Sequence, residues 1–427
     1  MISRLSFSAA SRLLSSNCTL TCAPISSVGY QYRSASTSPN LNEVVIVSAV
    51  RTPIGSFRGS LASVSATKLG AAAIKACLEK ANIPGNRVQE VYMGHVVQGG
   101  VGQAPARQAS MYAGLPKETS CTTVNKVCSS GMKAIMMASQ SLMCGHQEVM
   151  IAGGMESMSN VPYYFPRGDT PYGTLQLEDG IAKDGLTDVY DKIPMGLCAE
   201  KTAKKEGFSR VDQDNYAKQS YERTAKAWKE GKFKDEVIPV TITTKKGDVI
   251  VKEDEEYKKV DFEKMKTLRT VFQKDGTITA ANASKINDGA AVCLLMTRQA
   301  ADKLGCKPLA RIIAFADAET DPVDFSIAPT LAIPKLLKLA NVDKKDIAMW
   351  EINEAFSSVA LANGKILGIS NDKLNIHGGG VALGHPIGMS GARLVVHLCH
   401  SLKPGEKGVA GICNGGGGAS SIMIEKL

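Results

Sequence analysis

Thr122-Thr-Val-Asn-Lys-Val-Cys-Ser-Ser-Gly-Met-Lys-Ala-Ile-Met-Met-Ala-Ser-Gln-Ser-Leu-Met143 changes character part-way along. Thr122–Asn125 reads as a strand, and Ser129–Met143 as an apolar helix closed by Gly145. Cys128 falls at the junction. A thiol there faces the free N–H groups and positive end of a helix, which predicts a pKa below about 8.5. Ser129, Ser130 and Gly131 are small enough for a substrate to approach. The competing reading of Cys128 is an inert thiol at a strand end.

Outward from this junction, strands and helices alternate. Glu43–Ser48 and Glu90–Met93 read as strands. Thr67–Lys80 reads as a helix, with Leu69, Ala72, Ala73 and Ala76 at i, i+3, i+4 and i+7. Glu148–Ala152 is a further strand running into Gly153-Gly154. The same order recurs late in the chain. Ala310–Ala316 is a strand, Thr330–Leu339 a helix, and Ala348–Asn353 a strand leading into a helix. His377–Gly384 approaches helix Gly388–Leu402, and strand Gly408–Cys413 precedes Gly415–Gly418. Even the ends rhyme, Gly289-Ala-Ala-Val-Cys-Leu-Leu-Met296 against Gly418-Ala-Ser-Ser-Ile-Met-Ile424. The expectation is an α/β chain with an internal duplication and a parallel-type sheet covered on both faces. In it Cys128 and His385 hold equivalent strand-to-helix junctions.

Between the halves, from about Ser159 to Asn287, the rhythm breaks and charge rises. A helix from about Val211 to Glu230 starts with a capping-box pattern, Ser209 and Asp212, and stops before Gly231. Lys252–Arg269 is dense in both charge signs. This segment reads as an inserted domain suited to a large polar ligand.

Three further blocks carry chemistry. His385, between Gly384 and Pro386, can take a proton from Cys128 if the duplicated halves meet. His397 and His400 read as structural. Cys413 ends an apolar strand and is followed, after Asn414, by four glycines. There Gly415 can offer its N–H to an oxyanion while Cys413 moves protons, although a tight turn alone would also use glycine. Asn353, in Asn353-Glu-Ala-Phe356, can orient a water or donate to an enolate, or cap a helix.

Asn125-Lys-Val-Cys-Ser-Ser-Gly-Met-Lys133, Glu351-Ile-Asn-Glu-Ala-Phe356, Gly384-His-Pro-Ile-Gly-Met-Ser-Gly-Ala-Arg393 and Cys413-Asn-Gly-Gly-Gly-Gly418 stand in that order. Together they resemble the signature of the thiolases, and the resemblance covers the chain after its first forty residues. It implies the thiolase fold: two duplicated βαβαβαββ halves, a five-layered αβαβα core and an inserted loop domain. The implied division is 40–158 plus 287–308, a coenzyme A-binding loop domain at 159–286, and 309–427. The implied reaction is the reversible condensation of two acetyl-CoA into acetoacetyl-CoA and CoA, extending to 2-methylacetoacetyl-CoA, in ketone-body turnover and isoleucine breakdown. Cys128 would carry the acetyl group, activated by His385. Gly415 and the N–H of Cys128 would hold the oxyanion, Cys413 would handle the α-proton, and Asn353 and His385 would steady the enolate.

The resemblance also implies coenzyme A contacts at Tyr221, Lys259, Val260, Asp261, Lys264 and Ser284. Thr279-Ala-Ala-Asn-Ala-Ser284 resembles a potassium-binding loop. The ion would lie among the backbone oxygens of Ala280, Ala281, Ala283 and Val381 and the Tyr221 hydroxyl. A homotetramer is implied as well. His95 and His377 depart from the family pattern, which usually has asparagine at both places. A ketoacyl synthase would lack the second cysteine. A broad-range 3-ketoacyl-CoA thiolase and a non-catalytic CoA- or RNA-binding relative are the remaining alternatives.

Composition is consistent with this. The 427 residues are 44% apolar and 21% charged, an ordinary globular balance. No apolar run reaches the ~18 residues of a membrane span. Residues 1–33 carry Arg4, Arg12 and Arg33, many serines and no acid, the composition of a mitochondrial transit peptide. Net charge is +9, of which those arginines supply three. Basic residues do not interleave with aromatics, which are only 5%, so nucleic acid is not the expected partner. The eleven cysteines include no C-x-x-C pair, which argues against a structural zinc site or disulfide framework and suits a reducing matrix.

Overall fold

The computed structural model describes residues 41–169 and 172–427. The expected targeting segment, 1–33, lies outside them.

Nine main strands build one mixed sheet. They are β1 (Val44–Arg51), β2 (Glu90–Gly94), β3 (Ser120–Val124), β4 (Val149–Ser157), β5 (Asn287–Thr297), β6 (Ala310–Glu319), β7 (Ile347–Ile352), β8 (Lys407–Asn414) and β9 (Gly418–Lys426). Their order is β7-β8-β9-β6-β1-β5-β4-β2-β3, with Gly55–Ser56 paired to the start of β5. The first half reads β1-β5-β4-β2-β3 from the centre outward. The second reads β6-β9-β8-β7, and Trp350 of β7 then bridges in parallel to Leu374, where a fifth strand would stand. Both halves thus share one topology, the expected duplication.

The sheet is not uniformly parallel, a correction to the sequence reading. β2 pairs in parallel with β3 and β4, and β7 with β8, but β1–β5, β4–β5, β6–β9, β8–β9 and β1–β6 are antiparallel. Apolar runs misled here because strands buried on both faces lose the alternation that marks an antiparallel sheet with a wet face. β4 and β5 are buried at every residue.

The halves of the sheet join through only two register pairs, Val45–Arg311 and Ile46–Ala310. Between them lie α3 (Ser130–Met143) and, from the second half, a helix at Ile387–Ser401. These two pack on each other and on strands of both halves. Outside the first half lie α1 (Ala66–Ala81) and α2 (Pro105–Tyr112). Between the halves in sequence come α4 (Met195–Glu206) and α5 (Arg210–Lys229). Outside the second half lie α6 (Pro329–Ala340) and α7 (Ser357–Leu367), so Ile387–Ser401 becomes α8. The stack is helix, sheet, helix, sheet, helix.

Local chemistry sets the helix ends. Ser65 caps α1 by accepting the Lys68 N–H, and α5 has the capping box foreseen at Ser209 and Asp212. Glycine sets the closest approach in the central layer. A Cβ on Gly154 of β4 would stand 1.9 Å from the Gly388 carbonyl of α8, and one on Gly94 2.5 Å from the Gly131 nitrogen of α3. Only bare backbone lets these helix starts lie this close to the strand ends, and those starts carry the motifs.

Candidate active site

Cys128 sits in the tight link between β3 and α3. Val127 is held at φ +47°, a left-handed conformation costly for a β-branched residue, which turns the thiol out of the strand. Asn125 Oδ1 accepts the Val127 N–H (2.9 Å) and Ser130 Oγ the Lys126 N–H (2.8 Å), so side chains hold the turn. Ser129 Oγ bonds the Ile412 carbonyl and Asn414 Oδ1, which ties the link to the end of β8.

That end of β8 carries Cys413, close enough that a charge on the Cys128 sulfur disfavours ionisation of Cys413. The backbone N–H groups of Gly415 and of Cys128 itself both point at the Cys128 sulfur. Both N–H groups expected of the oxyanion pair thus lie at the Cys128 sulfur.

The acidity of Cys128 contradicts the sequence reading. Part of the residue is exposed, yet the protein around the sulfur pushes its thiol up to about 11; the two N–H groups oppose the rise and Glu156 adds to it. The two lysines at the helix start, Lys126 and Lys133, are paired with Asp317, and the Ser129 and Ser130 N–H groups are spent on the Lys126 and Val127 carbonyls. Burial raises Cys413 still further. Both thiols rest protonated.

His385 is the candidate base. It is buried at the start of α8, its backbone N–H bonded to Asn287 Oδ1. Burial, with Arg393 adding to it, lowers its pKa to about 3, so the imidazole is neutral. Its tautomer follows from its partners. Ser390 Oγ lies 2.9 Å from the Pro386 carbonyl and 2.5 Å from Nδ1. A serine hydroxyl has one proton. With that proton given to Pro386, Nδ1–H donates to Ser390 and Nε2 keeps a lone pair. Asn353 Nδ2, 3.3 Å from Nε2, donates to that same lone pair. Asn353 follows β7 and does not cap α7, whose first turn begins after Phe356. Its buried Oδ1 has no partner among the described residues, leaving an acceptor free for a water.

The two family departures are structural in place. His95 Nε2 reaches Glu156 (3.1 Å), whose carboxylate also accepts the Val96 and Gly388 N–H groups. His377 packs on His397, and burial lowers its pKa to about 4.

A cleft of about 220 Å³ beside this centre is lined by Tyr221, Lys259, Val260, Asp261 and Lys264, five of the six expected coenzyme contacts. Ser284, the sixth, lies at the cleft's loop and donates its N–H to the Ala355 carbonyl (3.0 Å). Asp261 caps the short helix Phe262–Met265, and Lys259 Nζ bonds Ser56 Oγ. A separate cavity of about 700 Å³ near Glu206, Tyr216 and Ile369 holds none of the motif residues.

Ala280, Ala281, Ala283, Val381 and Tyr221 also gather, as expected of an ion cage, but Lys285 enters it. Its ammonium donates to the Ala283 (2.9 Å) and Val381 (3.0 Å) carbonyls and to the Tyr221 hydroxyl. The residues present therefore do not fit an added potassium ion. Lys285 was missed in the sequence; the signal was a lone charged residue in the run Ile278–Ile286.

Residues 44–299 match the thiolase N-terminal domain and residues 306–426 the thiolase C-terminal domain. The chain belongs to the thiolase family. This thiolase is 68% identical to the mitochondrial acetyl-CoA acetyltransferase of Mus musculus over 397 residues, 92% of this chain and 94% of that protein. It is 64% identical to the Homo sapiens enzyme of the same name over 405 residues, 94% and 95% of the two chains. Among solved structures, an Ascaris suum thiolase in complex with coenzyme A superposes at TM-score 0.88 with 49% identity, covering 90% of this chain and all of that one. Human mitochondrial 3-ketoacyl-CoA thiolase superposes at 0.87 with 36% identity, covering 91% and 100%.

Proposed function

We propose that this thiolase is a mitochondrial matrix acetyl-CoA C-acetyltransferase, condensing two acetyl-CoA into acetoacetyl-CoA and CoA and cleaving acetoacetyl-CoA in reverse. The observation that carries it is the pairing of two protonated thiols, one under two backbone N–H donors, in a chain whose neutral His385 is held by Asn353 and Ser390 with the Nε2 lone pair kept.

In condensation, His385 Nε2 takes the Cys128 proton as the sulfur attacks the acetyl-CoA carbonyl. The oxyanion rests on the N–H groups of Cys128 and Gly415. Collapse expels CoA, which takes the proton back from His385, and leaves acetyl-Cys128. Cys413 then passes its proton to His385 Nε2, and the resulting thiolate removes an α-proton from a second acetyl-CoA. The enolate oxygen accepts from the Nε2–H that His385 now carries and from a water on Asn353. Its carbon attacks the acetyl group, acetoacetyl-CoA forms, and the departing Cys128 sulfur takes the proton from His385 Nε2 while Cys413 keeps the α-proton, which restores the resting state. Thiolysis runs the same steps backward.

The cleft at Tyr221, Lys259, Val260, Asp261, Lys264 and Ser284 supports coenzyme A binding by a segment, 159–286, that acts as a loop domain. The lysines suit its phosphates. A homotetramer and acceptance of 2-methylacetoacetyl-CoA belong to the same reading, as do roles in ketone-body turnover and isoleucine breakdown. Higher identity to the acetyltransferases than to the 3-ketoacyl-CoA thiolase favours short acyl chains. The test is CoA-dependent loss of acetoacetyl-CoA and of its 2-methyl analogue, alongside a longer 3-ketoacyl-CoA. Turnover of the first two, abolished in Cys128→Ala with CoA binding retained, is expected. Preference for the longer substrate would favour the broad-range alternative, and no turnover the binding protein.

A further inference from the structure

The ammonium of Lys285 has three N–H donors, and the Ala283 carbonyl, the Val381 carbonyl and the Tyr221 hydroxyl accept them. The Tyr221 ring centroid is 5.1 Å from Nζ, adding its π face. Ala280 and Ala281 line the same cleft, so the ammonium takes three of the five oxygens that would otherwise ring an alkali ion. The surroundings favour a cation: the Glu256 and Glu354 carboxylates both act on it. Glu354 also accepts the Val381 N–H (3.1 Å), fixing the carbonyl on the far side of the cage.

The cage adjoins the chemistry. Ala283 packs in the cluster that contains Cys413, Ala355 and Phe356, and pairs with Phe356. Ser284 N–H bonds the Ala355 carbonyl, and the Asn282 carbonyl accepts the Ser357 N–H (2.9 Å). Whatever cation fills the cage therefore fixes the wall beside Cys413 and one side of the coenzyme cleft.

We infer that Lys285 is a built-in replacement for a monovalent metal ion, holding the 279–285 loop to Val381 and making this thiolase independent of potassium. An ammonium and a potassium ion are similar in size and charge, and both take carbonyl and hydroxyl oxygens. A second cation cannot share these oxygens without standing against the first. The inference rests on the proposed reaction only for its kinetic readout.

The full chain is compared in potassium, sodium and choline nitrate at equal ionic strength. The readouts are thiolysis rate, calorimetric Tm and broadening of the thallium(I) NMR line, thallium serving as the potassium probe. The wild type is expected to show equal rates and Tm in all three salts and no thallium broadening. Lys285→Ala is expected to be slower and less stable in choline, to recover several-fold in potassium, and to broaden the thallium line. A wild type activated several-fold and stabilised by potassium would overturn the inference. So would a folded Lys285→Ala that binds no thallium and ignores salt. If that variant fails to fold, Lys285→Gln replaces it, and the wild-type comparison decides by itself. Absence of turnover would strike the proposed reaction but leave Tm and thallium binding to judge the cage.

Discussion

Titrating Cys128 in the resting enzyme tests whether the thiol is preformed as a thiolate or ionises only as it reacts. Burial holds it at about 11 and His385 at about 3. Moving the proton from sulfur to imidazole thus spans about eight pKa units, or about 11 kcal/mol. An ion pair in contact at about 4 Å recovers only about 4 kcal/mol at an effective dielectric of 20. The neutral pair wins by roughly 7 kcal/mol on those figures. At pH 7 the thiolate fraction is then about one in ten thousand. Iodoacetamide alkylation of Cys128, followed by mass spectrometry of its peptide, should rise about tenfold per pH unit between pH 6 and 10. The 240 nm absorbance of wild type minus Cys128→Ala should show no thiolate at neutral pH. An alkylation rate already level below pH 8, or clear thiolate absorbance at pH 7, would refute the reasoning. On the acid side His385 stays neutral and competent, because its folded pKa lies below the ordinary value. The rate of Cys128 acetylation should therefore not fall between pH 7 and 5 through protonation of this base.

Cys413→Ala should still take an acetyl group from acetyl-CoA on Cys128, seen by intact mass, while condensation falls by about 10²–10⁴-fold. Ser390→Ala removes the acceptor for His385 Nδ1–H and should lower kcat/KM by about 3–30-fold; equal pH profiles and rates in mutant and wild type would refute the positioning role. Arg51→Ala strips the guanidinium from the buried Glu236 and Asp254 carboxylates (2.6 and 2.7 Å) and should cost about 3–5 kcal/mol in urea unfolding. Burial alone would raise Glu236, but His397 and Arg51 hold it below the usual carboxylate range, so its stabilisation is full above about pH 4.5 and lost as pH falls.

Much of this architecture is legible in sequence because glycine and cysteine are informative where backbones crowd. Gly131, Gly154 and Gly388 mark the contact of α3, β4 and α8, and the motifs cluster there. The duplication shows because each half repeats one order of apolar runs and glycine stops. Strand direction does not show, since β4 and β5 are buried on both faces and carry no alternation. The thiol's acidity also escaped. A helix start argues for a lowered pKa only while its N–H groups remain free, and here the turn's own carbonyls take two of them. The cage oxygens are mostly backbone carbonyls, which any residue can present. Sequence could bring them together only through resemblance, and resemblance passed over the one side chain that fills them.

The charge pattern of the site explains why two thiols and one imidazole are arranged around a shared neutral resting state. A preformed thiolate at Cys128 would repel ionisation of Cys413, because the two sulfurs sense each other's charge. A neutral Cys128, first as thiol and then as acetyl thioester, keeps that repulsion absent when Cys413 must ionise for the second substrate. Acetylation holds the first sulfur uncharged through that step. Acetyl-Cys128 trapped in an Asn353→Ala variant should accordingly leave Cys413 no more reactive toward iodoacetamide than in the free enzyme at the same neutral pH. Clearly faster labelling of Cys413 in the trapped state would mean that Cys128 is charged at rest, and would sink the neutral resting state.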